Sequence, residues 1–104
     1  MSPEQPMFND ALLLFIHEPA RLILLTTLAA VNQADFVFLL NSTELSRGNL
    51  SVQMTRLQEK GLVKVEKMFE ENRPRTVYQI TRTGRSTLKR YKQQMLDLLD
   101  SLTL

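Results

Sequence analysis

Residues 46–84 read SRGNLSVQMTRLQEKGLVKVEKMFEENRPRTVYQITRTG, and this stretch decides the fold. Ser46 is a favoured helix N-cap, the run to Lys60 keeps Leu50, Met54 and Leu57 on one stripe at helical spacing, and Gly61 supplies a left-handed stop. The apolar period then changes. Leu62 to Phe69 and Thr76 to Thr81 are β-prone, with Val63 and Val65 alternating against Lys64 and Glu66, and the polar segment Glu70 to Arg75 is expected to join them as a loop. Thr81 caps a last predicted helix from Arg82 to about Leu102, long for so small a chain.

Toward the N-terminus, Asn9 or Asp10 caps a short helix through about His17, and Pro19, a favoured first-turn residue, opens a second helix to about Asn32. Asp35 caps a third, Phe36 to about Ser42, which the polar stretch Asn41 to Glu44 ends. Two helices joined by so short a turn make a helix-turn-helix. With the hairpin behind it, the predicted fold class is mainly α with a β-hairpin wing (α+β): a winged helix-turn-helix with extra N- and C-terminal helices. A length of 104 residues and 43% apolar content fit one domain spanning residues 1–104, with one core.

The formal net charge of +2 conceals a segregation of sign. Residues 1–44 hold Arg21 against Glu4, Asp10, Glu18, Asp35 and Glu44, a net of −4. Residues 45–92 hold twelve Lys and Arg against Glu59, Glu66, Glu70 and Glu71, a net of +8, and the last twelve carry Asp97 and Asp100 for −2. Basic charge is therefore concentrated on the helix and hairpin, as in a nucleic-acid footprint. The absence of Cys excludes disulfides, thiolate metal sites and thiol redox sensing, and a single histidine, His17, offers no zinc set, so no metal and no cofactor are expected. His17, Glu18, Pro19 and Arg21 interrupt the apolar runs Ala11–Ile16 and Leu22–Val31, neither is long enough to span a bilayer, and no basic residue precedes the first as a signal peptide requires. The expectation is a cytoplasmic chain with no membrane partner.

At about 100° per residue, the face of the 46–60 helix opposite its apolar stripe carries Gly48, Asn49, Val52, Thr55 and Arg56, with Ser46 and Arg47 at its start and Ser51 and Gln53 at the flanks. A small, polar, singly basic face suits insertion into a major groove. Val52 lies roughly 170° from the stripe, a poor place for an apolar side chain in water but a good one for meeting a thymine methyl group. Arg56 suits bidentate contact with guanine, and Asn49 or Gln53 with adenine. In the wing, residues 69–76, Pro74 limits the freedom of the segment that presents Arg73 and Arg75, and arginine is favoured in a narrow minor groove. Glu70 and Glu71 are potential ion-pair partners of the same arginines. Lys64 is a candidate for phosphate contact, as are Lys67, Arg82 and Arg85.

Asn49-Leu50-Ser51, Leu57-Gln58-Glu59-Lys60-Gly61-Leu62-Val63, Arg73-Pro74-Arg75-Thr76 and Ile80-Thr81-Arg82-Thr83-Gly84-Arg85 together resemble the small MarR-like winged-helix transcriptional regulators, over about Pro19 to Tyr91. The resemblance implies a homodimer on a palindromic operator in double-stranded DNA, with the 46–60 helix in the major groove and the Arg73 and Arg75 wing, including Thr76, on the minor groove. Val52, Gln53 and Met54 stand where such proteins often carry basic or histidine side chains, so the operator sequence does not carry over. Neither it nor any small-molecule effector is specified by the sequence.

Dimerisation also follows from the residues. Ala11–Ile16 is apolar on all sides of a helix, and Leu88, Tyr91, Met95, Leu98, Leu99 and Leu102 continue an apolar stripe after the winged-helix pattern has ended. Residues 7–18 and 88–104 are the expected dimerisation helices, with Phe8, Leu12, Leu13, Phe15 and Ile16 completing the interface. His17, Phe36 and Phe38 read as core or boundary residues. A winged helix contacting protein or RNA is the competing reading, and Val52, Arg73 and Arg75 argue against it because such modules have no particular need of them. No nucleophile with a nearby base, carboxylate pair or Gly-rich phosphate loop marks an enzyme, so no catalytic residue is assigned.

Overall fold

A helix begins where a side-chain oxygen can take up its first free backbone N–H groups, and the sequence places such a residue before each described helix. In the computed structural model, which describes residues 10–104, Asp10 accepts from the N–H groups of Leu12 and Leu13 to start α1 (Ala11–Ile16). Glu18 caps α2 (Pro19–Ala30), Asp35 caps α3 (Phe36–Thr43), Ser46 caps α4 (Arg47–Glu59) and Thr81 caps α5 (Arg82–Asp100). Between α4 and α5 run β1 (Val63–Glu70) and β2 (Arg73–Ile80), antiparallel in a register from Val63 opposite Ile80 to Glu70 opposite Arg73. Helices α3 and α4 form the helix-turn-helix, and β1 and β2 the wing. No described helix is long and apolar enough to cross a membrane.

The end of α4 and the start of α5 meet in one corner. Gly61, at φ 73°, lets its own N–H reach the Gln58 carbonyl at 2.9 Å while the N–H of Leu62 reaches Leu57 at 3.0 Å, the paired closure of a Schellman cap. Thr81 then joins both sides: its hydroxyl donates to the Gly61 carbonyl at 2.7 Å and accepts from the Gly84 N–H at 2.9 Å. Gly84 is buried with no room for a side chain, since a β-carbon there would meet the Leu62 carbonyl oxygen and lie 2.7 Å from Ile80 Cγ1. Gly84→Ala is therefore expected to lower stability by about 1–3 kcal/mol in a urea titration, although alanine is intrinsically the better helix former.

The core is the inner surface of the helix-turn-helix closed by the base of the wing. Leu24, Leu25 and Leu28 of α2, Leu39 of α3, Leu50, Met54 and Leu57 of α4, and Leu62, Val63 and Ile80 at the hairpin base form one buried cluster. Leu13 and Ile16 of α1 belong to it and are fully buried within the protomer, and Tyr91 of α5 is buried beside them. These three were expected at the dimer interface. The correction has a simple cause: α1 packs on both α2 and α5, so its Leu13–Ile16 face is already covered. Leu14 is exposed, and Leu12 and Phe15 are half-buried, so the helix is not buried all round as its composition suggested. Phe8 lies outside the described residues.

Polar contacts hold α1 to α5. Desolvation works against ionisation of Asp10, but hydrogen bonds from the Leu13 N–H and the Arg90 guanidinium, with the Arg90 charge, hold its carboxyl below the usual value. His17, at the end of α1, is exposed, and its Nδ1 lies 2.8 Å from the Tyr91 hydroxyl, whose pKa burial pushes up. Phe36 is half-buried and Phe38 is 43% exposed. Ala34 and Tyr78 exchange two backbone hydrogen bonds, of 3.0 and 2.7 Å, fastening the segment before α3 to β2.

Candidate nucleic-acid interface

Helix α4 is built to face two ways. Leu50, Met54 and Leu57 anchor one side in the core, and Arg47, Gly48, Asn49, Ser51, Val52, Thr55 and Arg56 are all exposed. Val52 is 47% exposed, as its angular position demanded. A β-carbon at Gly48 would meet nothing within 4 Å, so no packing inside the chain requires glycine there; its effect is to keep the outer face flat. The Ser46 hydroxyl is engaged as the cap, 3.1 Å from the Asn49 N–H, and the Thr55 hydroxyl donates to the Ser51 carbonyl at 3.1 Å. Arg47 lies over the Phe36 ring, 5.8 Å from its centroid, which ties the first turn of α4 to α3. Arg56 makes no ion pair among the described residues.

Gln53 departs from expectation. It was placed at the flank of the groove-facing side, but it is only 8% exposed, accepts from Arg21 Nε at 2.9 Å and donates to Asn49 Oδ1 at 3.2 Å. Arg21 stands where α2 packs against α4, and a half-buried guanidinium needs acceptors; Gln53 is turned inward to supply one. Its amide is therefore engaged inside the chain, by Arg21 and Asn49, and not presented at the flank of the outer face.

The wing differs from the expected loop. The turn is only Glu71-Asn72, at φ 53° and 63°, and Glu70 already pairs with Arg73, so Arg73, Pro74 and Arg75 lie in β2. Two consecutive positive φ values are those of a type I′ turn, which matches the twist of the strands it joins. Pro74 is tolerated because this part of β2 is an edge, beyond the Ala34 pairing, where no neighbouring strand needs its missing N–H. The two arginines have separate fates. Arg75 is half-buried, bonded to Glu70 and 3.7 Å from Asp35, and these carboxylates raise its pKa above the ordinary value. It stitches the wing to the start of α3. Arg73 is exposed and makes no ion pair among the described residues. Lys64 is exposed on β1, Pro74 is exposed, and Thr76 is half-buried.

Two features were not singled out from the sequence. Phe69, opposite Pro74 near the tip of the wing, is 78% exposed. The only available signal was a large aromatic too close to the turn for the core to reach. The contact of Arg21 with Gln53 gave no signal at all, because it arises only through the packing of α2 on α4.

An open, low-relief helix face with Arg47 and Arg56 exposed, followed by a hairpin that exposes Lys64, Lys67 and Arg73, defines a winged-helix protein of the DNA-binding regulator class. Residues 20–99 match the model of a family described as the winged helix DNA-binding domain. An uncharacterised protein of Methanocaldococcus jannaschii is 31% identical over 78 residues, covering 75% of this chain and 85% of that protein. The structure of a transcriptional regulator homologue from Pyrococcus horikoshii superposes with a TM-score of 0.82 at 30% identity, over 94% of each chain. MarR from Escherichia coli, without ligand, shares the fold at a TM-score of 0.68 and 20% identity, over 95% of this chain and 76% of that one. The chain belongs to the winged helix DNA-binding domain family, and it shares its fold with solved transcriptional regulators.

Proposed function

We propose that the chain regulates transcription as a cytoplasmic homodimer bound to a palindromic operator, with α4 in the major groove and the wing on the minor groove. The observation that carries this reading is the outer face of α4, where an apolar Val52 and an unpaired Arg56 stand in solvent beside Gly48 and Asn49 while the inner face is locked in the core. Arg56→Ala should lose roughly 1–3 kcal/mol on the best operator and much less on random DNA. Replacing one thymine by uracil should weaken wild-type binding and leave Val52→Ser nearly indifferent. Fluorescence anisotropy decides: equal loss of specific and random affinity in Arg56→Ala, or equal response of both proteins to the missing methyl, removes α4 from the groove.

The whole chain is read as one winged-helix domain in which residues 7–18 and 88–104 dimerise. Support comes from the C-terminal end of the chain: α5 stops at Asp100, short of the expected Leu102, and its Leu96, Leu98 and Leu99 are exposed, as is Leu102 just beyond it. Between α2 and α5 runs an open groove of about 590 Å³ with Leu22, Ala29, Leu88, Met95 and Leu99 on its walls. A second copy would cover this apolar surface. Charge fits the same pairing: Arg85, Lys89 and Lys92 line the groove, and Asp97 and Asp100 lie at the far end of α5. Leu12, Phe15, Leu88, Met95, Leu98, Leu99 and Leu102 remain for the interface. Two-fold symmetry then sets the operator half-sites about one helical turn, roughly 34 Å, apart.

A further inference from the structure

We propose that Arg21 fixes the hydrogen-bond polarity of the recognition surface, so that Asn49 faces the major groove as a donor and reads the O6 and N7 acceptors of a guanine. This rests on the DNA-binding reading above and adds what one residue of α4 recognises. A guanidinium has donors and no acceptor. Arg21 Nε lies 2.9 Å from the Gln53 amide, so the atom turned toward it is the oxygen Oε1, and the nitrogen Nε2 points the other way. That nitrogen lies 3.2 Å from the Asn49 amide, so the atom facing it is Oδ1. The other end of Asn49, with its two N–H groups, makes no hydrogen bond in the chain among the described residues, and the residue is exposed.

The first link is held firmly. The Arg21 side chain is only 16% exposed, its guanidinium lies 4.2 Å from the centroid of the Phe15 ring, and its Nη1 donates to the Phe15 carbonyl at 3.0 Å. Glu18 sits 3.8 Å from its Nε. Gln53 is buried, so reversing its amide would set N–H against the guanidinium and strip a buried oxygen of its donor, both unfavourable. Polarity is thus passed from α2 to the outer face of α4. An amide reads adenine by accepting from N6 while donating to N7. With Oδ1 engaged by Gln53, two donors are what Asn49 offers, and guanine presents two acceptors.

Selection of bound duplexes from a random pool by the wild type and by the exposed variant Asn49→Ala locates the base pair where preference disappears. Guanine is expected there, and replacing it with 7-deazaguanine should weaken wild-type binding about tenfold without affecting Asn49→Ala. Gln53→Glu still accepts from Arg21 but offers Asn49 no donor. Asn49 then turns its N–H groups inward, and preference moves to adenine or cytosine, whose amino groups are donors, in the strand where guanine stood. In the free wild-type protein, the side-chain N–H protons of Gln53 should exchange with water more slowly than those of Asn49, a reading that needs no variant. A base other than guanine, an unchanged preference in folded Gln53→Glu, or equal exchange rates overturn the relay while leaving DNA binding intact. A wild-type selection that enriches no sequence overturns the DNA reading itself.

Discussion

A chain carrying Leu98→Glu and Leu102→Glu should sediment as a folded monomer and bind the operator on the order of a thousandfold more weakly than the wild type. Both leucines are exposed in the protomer, so carboxylates there disturb no packing within the chain, and the variant should still melt cooperatively, below the wild type only by what dimerisation contributes. In the proposed dimer the same carboxylates would be buried in an apolar seam without partners, which is prohibitive. The affinity loss follows because two linked α4 helices bind their half-sites at a high effective concentration, and a monomer has only one. Leu13→Glu makes the contrast: Leu13 is fully buried inside the protomer, so that variant should unfold rather than dissociate. Sedimentation and melting of the two variants side by side separate the cases. A wild type that is monomeric at micromolar concentration, or a double variant that stays dimeric, removes the terminal helices from the interface.

The parts of this fold that could be read from the sequence are those set by local chemistry. Asp35, Ser46 and Thr81 cap the helices they were expected to cap, and Gly61 takes the left-handed conformation a helix stop requires. The apolar stripe of α4 is long enough to orient the helix, so Val52 and Arg56 emerge where 3.6-residue periodicity puts them. What could not be read depends on contacts distant in sequence. Helix α1 is six residues of uniform apolarity, which gives no direction, and only its packing on α2 and α5 selects Leu13 and Ile16 as the inner face. Gln53 is polar and sits at the edge of the stripe; its inward turn is decided by Arg21, 32 residues away. The tight turn escaped notice because Glu71 is not a residue that favours positive φ, and the polar run around it read as a longer loop. A longer loop would carry both arginines, whereas in the structure Arg75 lies in β2, engaged by Glu70 and Asp35.

The separation of the two wing arginines governs the salt dependence of binding. With four or five basic groups per subunit on phosphates, drawn from Arg47, Lys64, Lys67, Arg73 and the start of α5, the dimer should show a slope of log affinity against log salt of about −7 to −9. Between 50 and 200 mM salt that slope corresponds to a loss of roughly 10⁴ to 10⁵ in affinity. Arg73 is exposed and makes no ion pair among the described residues, so Arg73→Ala should remove one phosphate contact from each subunit and make the slope shallower by about 2. Arg75 already faces two carboxylates, so its charge is largely answered inside the protein. Arg75→Ala should leave the slope nearly as it was and instead loosen the wing from α3, seen as faster amide exchange along β2. Anisotropy titrations across a salt series distinguish the residues. A wild-type slope near zero would favour a protein partner over DNA, and equal effects of the two substitutions would mean that Arg75 leaves Glu70 and Asp35 when DNA is bound.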